Sequence, residues 1–546
     1  MNRGNPPPEP YYEDCSITLE DTDGSKLLNG VKGKVKVRGN WTSNYPKKGL
    51  RISFEESQSL LGLNNGGKFK SWVLLAEYKD GSMLRNKSVF QYSRDILGAD
   101  GYYSSDSTLV ELRINDEYFG VYLLAEQQQI NKGRVNINKC EDNYTGTDIG
   151  YFLEYDNGYS IYEDKIQSFV VNFNDNAPLK PYDGNGGSGK TITPKGSFGG
   201  MGNWGNFPGM GGGNFPGMGG QGGQDQPGQP GGNWQQPGQG QPGGNWQQPG
   251  QGQRPGNNWQ QPGQQNNNGQ GNQWGGFGNW GNTNTNNNNL RKRQFMMGGN
   301  GENMTIKNDV YSQEQHDFIA NYINNAYNIM YEAAYNKNPL KFTSDYTSVV
   351  EAPELTPRQA IENVVEAESL ADMFIISEIA CDADLYYSSF YLDVDFSSKG
   401  SKKLRFEAPW DFDSAVGNRE RCTDGKGHFA GNITPDNGMG GQQINPWLAV
   451  LMYEDWYQDL IRSRWSKAYD NGVFGRVVDM IHTDTQVAAQ AFNRNYEKWD
   501  NIKNNSQFAN ELSQGAKQCK TQSEAANFLA KWFEARIAFI NSHWHK

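Results

Sequence analysis

Two short acidic runs hold the residue types and spacings for phosphate and metal chemistry. The first is Cys381-Asp382-Ala383-Asp384-Leu385-Tyr386-Tyr387-Ser388-Ser389. The second is Pro409-Trp410-Asp411-Phe412-Asp413, closed by Gly417-Asn418. Carboxylates set among aromatic and apolar residues are costly to bury unless they are paired or hold a cation. Magnesium takes one or two carboxylates and fills the rest of its shell with phosphate oxygens and water. Asp411 follows Leu404, Phe406 and Trp410, so it is expected at the end of a buried strand. Asp413 could serve beside it or simply cap the following turn.

Ser389, an oxygen ligand, stands five residues after Asp384. Protein kinases space their catalytic-loop aspartate and metal-binding asparagine in the same way. A phosphate would also need a cation, and the segment from Arg38 to Ile52 supplies several. Strand alternation puts Lys48 on one face with Leu50, Ile52 and Phe54. Its amine is therefore expected to point inward, with Lys47 and Arg51 facing the other way. The Gly39-Asn40 turn could present backbone N–H groups to a phosphate.

The elements that must position these residues differ along the chain. From Cys15 to Glu126 the signal is strands and turns. Val31–Val37 alternates, and Leu109–Ile114 and Tyr118–Leu124 predict a hairpin closed by Asn115-Asp116-Glu117. Asp80–Leu97 reads as a helix stopped by Gly98, and Ile149–Tyr155 is a further apolar run. From Tyr311 the period is helical, with one helix through Ile319 and Met330 and a second running from Pro357 through Ile375. The fold class expected is α+β. It has two lobes, a small β-rich one and a larger, mainly helical one. The expected divisions are a disordered lead at 1–14, the β-rich lobe and hinge at 15–183, a low-complexity insert at 184–301 and the helical catalytic lobe at 302–546.

That insert distorts the composition. Hydrophobic residues make up only 35% of the chain, but 38 of the 66 glycines and 6 of the 15 tryptophans lie in 184–301. The remainder is ordinary enough for two cores. GGNWQQPGQGQ recurs at 231 and 243, and FPGMGG at 207 and 215. This composition cannot offset the backbone entropy of ordering. It reads as a solvated linker or as a self-association tether with tryptophan stickers. A net charge of −11 argues against a general nucleic-acid binder, and no apolar run is long enough for a transmembrane helix. No apolar leader follows Met1. Five scattered cysteines without a CxxC pair disfavour a zinc site.

Four segments in order, RGNWTSNYPKKGLRISF, WVLLAEYKDGSMLRN, YFGVYLLAEQ and APWDFDSAVGN, resemble the spore coat protein H (CotH) family of atypical protein kinases. The resemblance implies a secreted or cell-surface enzyme that uses ATP with Mg or Mn to phosphorylate Ser or Thr of partner proteins. Asp384 matches the catalytic aspartate and Ser389 the ligand after it. Asp411 and Asp413 match the metal-binding pair, and Lys47, Lys48 and Arg51 match the basic strand. Asp80, Arg85 and Asn86 match the following helix, and Glu126 ends the strand leading to the adenine-binding hinge. Asp384, Asp411 and Lys48 are thus the expected catalytic residues. Lys47, Lys48, Arg51 and Glu126 are expected around the nucleotide, and Asp411, Ser389 and Asp413 around the metal.

Ser53 stands where the family often has lysine, and Cys381-Asp382-Ala383 replaces an Asn-rich lead. A second reading keeps the kinase-like frame but makes the chain a weakly catalytic adhesin or scaffold that acts through its Trp/Gly/Gln repeats. A third, a carboxylate-pair glycoside hydrolase, leaves the basic strand unexplained.

Overall fold

Alternation builds the first sheet. Strands β1 (Glu13–Glu20), β2 (Lys26–Arg38), β3 (Gly49–Gln58), β4 (Phe69–Leu75), β5 (Ser107–Ile114) and β6 (Glu117–Glu126) form an antiparallel sheet in the order β1-β2-β3-β4-β6-β5. On one face Leu50, Phe54, Trp72, Leu74, Tyr122 and Leu124 form a small core, with Val31, Val35 and Val37 packed against it. Truncating Trp72, which is fully buried, would cost about 3–5 kcal/mol. On the other face, Val73, Leu75, Val121, Leu123 and Ala125 belong to the main core together with Val89 and Phe90 of the helix Arg85–Leu97. The expected hairpin is β5–β6. Asn115 (φ 49°) and Asp116 (φ 65°) are both left-handed, as a turn matched to the twist of its strands requires.

The structure is a computed structural model that describes residues 12–39, 41–156, 165–184, 190–194, 302–382, 384–386, 388–421, 423–433 and 443–546. Residues 1–11 of the expected lead and nearly all of the low-complexity stretch therefore lie outside the described residues, while Glu13 and Asp14, expected in the lead, open β1. The chain divides into 1–212 with 290–546, described below, and 213–289.

The second sheet combines segments from before and after that stretch. Strands β7 (Gly150–Tyr155) and β8 (Ser168–Phe169) join β9 (Met304–Ile306), β12 (Phe390–Asp395) and β13 (Arg405–Phe406) in the order β13-β12-β7-β9-β8. A two-stranded ribbon pairs β10 (Leu340–Phe342) with β11 (Val349–Glu351). The fold class is α+β, as the sequence implies.

Two helices start or stop where the sequence reading does not. The helix expected from Asp80 begins at Arg85, because the Asp80 carboxylate folds back to accept from Ser82 N, Leu84 N and Arg85 N at 2.8–3.0 Å. The helix expected through Ile375 is two, Pro357–Glu362 and Ala367–Ala380. Between them Leu404 N donates to Val364 O and Glu366 N to Leu404 O, both at 2.8 Å. This strand-like exchange cannot coexist with helix. Further helices include Gln313–Tyr331, Asp455–Asp470, Val473–Val487, Ala489–Trp499 and Gln522–Trp544. None of the described helices is long and apolar enough to cross a membrane. Cys15, Cys140, Cys381 and Cys519 are free thiols.

Candidate active site

The loops that carry the acidic runs hold conformations their residues resist. Ala408, Asp411 and Val416 have φ values of 62°, 69° and 49°; Cys381 and Ser389, in the first run, have 48° and 62°; Glu77, on the segment after β4, has 49°. Left-handed backbone at a non-glycine residue costs about 1–3 kcal/mol and persists only where the surroundings enforce it. Here Phe412 N donates to Asn86 Oδ1 (2.8 Å), Val416 N to Ala380 O (2.7 Å) and Gln128 Nε2 to Ala408 O (2.9 Å). Trp410 stacks on Phe90 with ring centres 5.2 Å apart.

The segment after β4 is stitched to the same loop. Asn86 Nδ2 donates to both Glu77 carboxylate oxygens, at 3.0 and 3.2 Å, so Asn86 bridges Glu77 and the backbone of the 411–413 turn. Asn418 Nδ2 donates to Asp413 O (2.7 Å) and Lys79 O (3.4 Å). Between them lies Lys79, whose Nζ is 3.1 Å from Asp413 Oδ1 and 3.5 Å from Glu511 Oε2. Burial alone would lower its pKa. Asp413, Tyr45, Glu511 and Asp384 outweigh that and hold it well above the ordinary lysine range, so Lys79 is a fixed positive charge among acids.

The acids of the two runs sense one another. Burial raises the Asp384 carboxyl, while Lys79 pulls it down and Asp413 pushes it up. Burial, followed by Asp413 and Asp384, pushes Asp411 up to about 7 against Arg38 and Lys79. Burial, Asp384 and Asp411 raise Asp382 well above the carboxylate range, and its Oδ1 accepts from Asp384 N at 3.1 Å. The Arg38 guanidinium lies over the Trp410 ring, 5.4 Å from its centre. The end of the first sheet therefore brings cations to a centre with surplus carboxylate.

A family model described as CotH kinase protein matches residues 35–184 and 282–538. The chain belongs to the CotH kinase family. A search of the curated proteins returns no match.

Within this CotH-family chain the remaining sequence-predicted residues fall in different places. Lys47, not Lys48, is the inward amine, which reverses the expectation from alternation. Pro46-Lys47-Lys48 precedes β3, so the alternation that begins at Gly49 does not extend back to them. Lys47 is 1% exposed. Its Nζ donates to Val121 O and to Asn495 Oδ1 (3.0 Å) and lies over the Tyr122 ring. Lys48 is half-buried, and its Nζ donates to Ser43 O (2.8 Å). Arg51 Nη2 reaches Ser71 Oγ at 3.4 Å, and Arg51 Nε is buried without a partner. The Glu126 carboxylate is occupied by Arg134 Nε (3.1 Å), Asn64 Nδ2 and Asp106 N. Ser389 N donates to Glu154 Oε1 (2.8 Å), and Glu154 also pairs with Lys307.

Lys79 and Glu511 do not appear among the expected site residues. Lys79 stands in the YKDGS run directly after β4, where a basic residue beside an acid was the available signal. Glu511 comes from a distant turn with no local motif. Among the described residues no three His, Cys, Asp or Glu side chains are arranged to hold a metal ion by themselves. A divalent cation at these acids would therefore need phosphate oxygens to complete its shell. Burial first, and then the neighbouring acids, lift Asp411, and such a cation would offset the second of these.

Proposed function

We propose that this CotH-family chain is a Mg- or Mn-dependent kinase of two-lobed, kinase-like plan. It would transfer the γ-phosphoryl group of ATP to a Ser or Thr hydroxyl of a secreted or surface protein. What supports the reading is that Asp384, Asp411 and Asp413 all feel the charge of Lys79 or of one another, and that Asn86 and Asn418 tie the 77–79 segment to the 411–413 turn. In this reading Asp411 and Asp413, with Ser389 on the strength of the sequence match, would hold the divalent cation, which would supply positive charge to neutralise the phosphates. Asp384 orients the acceptor hydroxyl and takes its proton as the oxygen bonds to the γ-phosphorus and the bond to the β-phosphate oxygen breaks, releasing ADP. Arg38 and Lys48, at the sheet end nearest the acids, meet the phosphates. Lys79 fixes Asp413 and offsets the acids' repulsion. Lys47 and Glu126, both engaged within the sheet, have structural roles. Such catalysis is positioning and electrostatics.

The test compares ATP turnover and phosphate incorporation by the wild type, Asp411→Ala and Asp384→Asn. Losses on the order of 10³-fold in both variants support the assignment. Equal rates in all three remove it. Nucleotide binding without turnover in the wild type would favour the scaffold reading.

A further inference from the structure

The half of the first sheet that does not pack on the Arg85–Leu97 helix is basic. The register places Lys34 opposite Asp14 and Ser53, Lys36 opposite Arg51 and Arg38 opposite Gly49. Residues two apart share a face, so Lys32, Lys34, Lys36, Arg38 and Arg51 share the face opposite Val31, Val35 and Val37. Lys32 and Lys34 are exposed. Lys36 lies over the Tyr12 ring at 4.7 Å, and Arg38 lies over Trp410. Asp14, 3.8 Å from Lys34 and 90% exposed, and Glu55, further along β3, are the acids beside them.

We infer that this stripe is a docking track for an acidic segment of the protein substrate, lying extended along β2 and delivering a nearby hydroxyl to Asp384. This rests on the phosphotransfer reading above. The track spans Lys32 to Arg38, roughly 20 Å at about 3.3 Å per residue, and ends at the residue whose charge reaches Asp411. Its cations recur every second residue, the period at which an extended peptide presents side chains to one side. The occupant is an acidic peptide rather than a nucleic acid, because the chain carries a net charge of −11 and the track is one strand wide.

The test uses the full chain and two fluorescein-labelled peptides, each with one serine, carrying glutamate or glutamine at every second position. Binding is read by anisotropy, so it does not depend on turnover. The expected result is that the glutamate peptide binds more tightly by on the order of tenfold or more, with the preference fading as salt rises from low to physiological. The Lys32→Gln/Lys34→Gln/Lys36→Gln variant, shown to be folded by its unfolding midpoint, loses it. Equal binding of the two peptides overturns the inference. So does a preference retained by the triple variant, or a single-stranded oligonucleotide that binds more tightly than the glutamate peptide. Loss of turnover with the peptide preference intact would sink the kinase reading while supporting the track.

Discussion

Replacing Lys47 by methionine should change how stability depends on pH, and not merely its size. Burial depresses this amine from 10.5 to about 7, only partly opposed by Glu77. In the unfolded chain it returns to the ordinary range. Between those values the unfolded state binds the extra proton, so the wild type gains stability as pH rises. The whole span of about 3.5 pH units is worth about 5 kcal/mol. The penalty is fully present below pH 7 and gone above about 10.5. From pH 7.5 to 9 the gain is about 2 kcal/mol. A neutral amine can still donate to Val121 O and Asn495 Oδ1, so the contacts survive while the charge penalty disappears. Urea unfolding of the wild type and Lys47→Met at pH 7.5, 8.25 and 9 gives a difference in which other titrations cancel. That difference should move in favour of the wild type by about 2 kcal/mol over the range. A flat difference, or one that moves the other way, would refute the assignment of Lys47 as the buried amine.

Lys79→Met should cost about 3–5 kcal/mol, because it leaves Asp413 and Glu511 buried without their cation; pairing it with Asp413→Asn in a denaturation cycle should recover part of that loss. Glu407 is raised well above its ordinary range by burial and by Asp393. The folded state therefore holds its proton longer, and stability falls as pH climbs above the unfolded carboxyl value. Glu407→Gln should remove that decline, seen as a thermal midpoint less sensitive to pH on the alkaline side. Asp411→Asn should abolish phosphate transfer while preserving the thermal midpoint, since it replaces a carboxylate that burial and like charges already disfavour.

Much of the frame was legible because local chemistry decides it. The β5–β6 turn follows from two residues that tolerate left-handed backbone, and Gly98 ends the Arg85–Leu97 helix. The two acidic runs could be found because carboxylates among Trp410, Phe412 and Tyr386 break the apolar context. The orientation of Lys47 and Lys48 could not be read. It depends on where β3 begins, a boundary set by the loop before it rather than by residue type. The split at 363–366 was hidden because Leu404, which interrupts the helix, lies about forty residues away in sequence. Glu511 was invisible for the same reason, as its partner Lys79 lies 432 residues earlier.

The second sheet also bears on how this chain can vary. The chain departs from it after Val171 and returns at Asn303. There Val171 N donates to Asn303 Oδ1 at 2.7 Å and Asn303 Nδ2 to Val171 O at 2.9 Å. Exit and entry are thus clasped by one asparagine, whatever length of chain lies between. Closing a loop grows costlier by only about 0.6 kcal/mol for each doubling of its length. The copy number of the GGNWQQPG-type tandem units can therefore drift over generations while the carboxylate centre keeps its geometry.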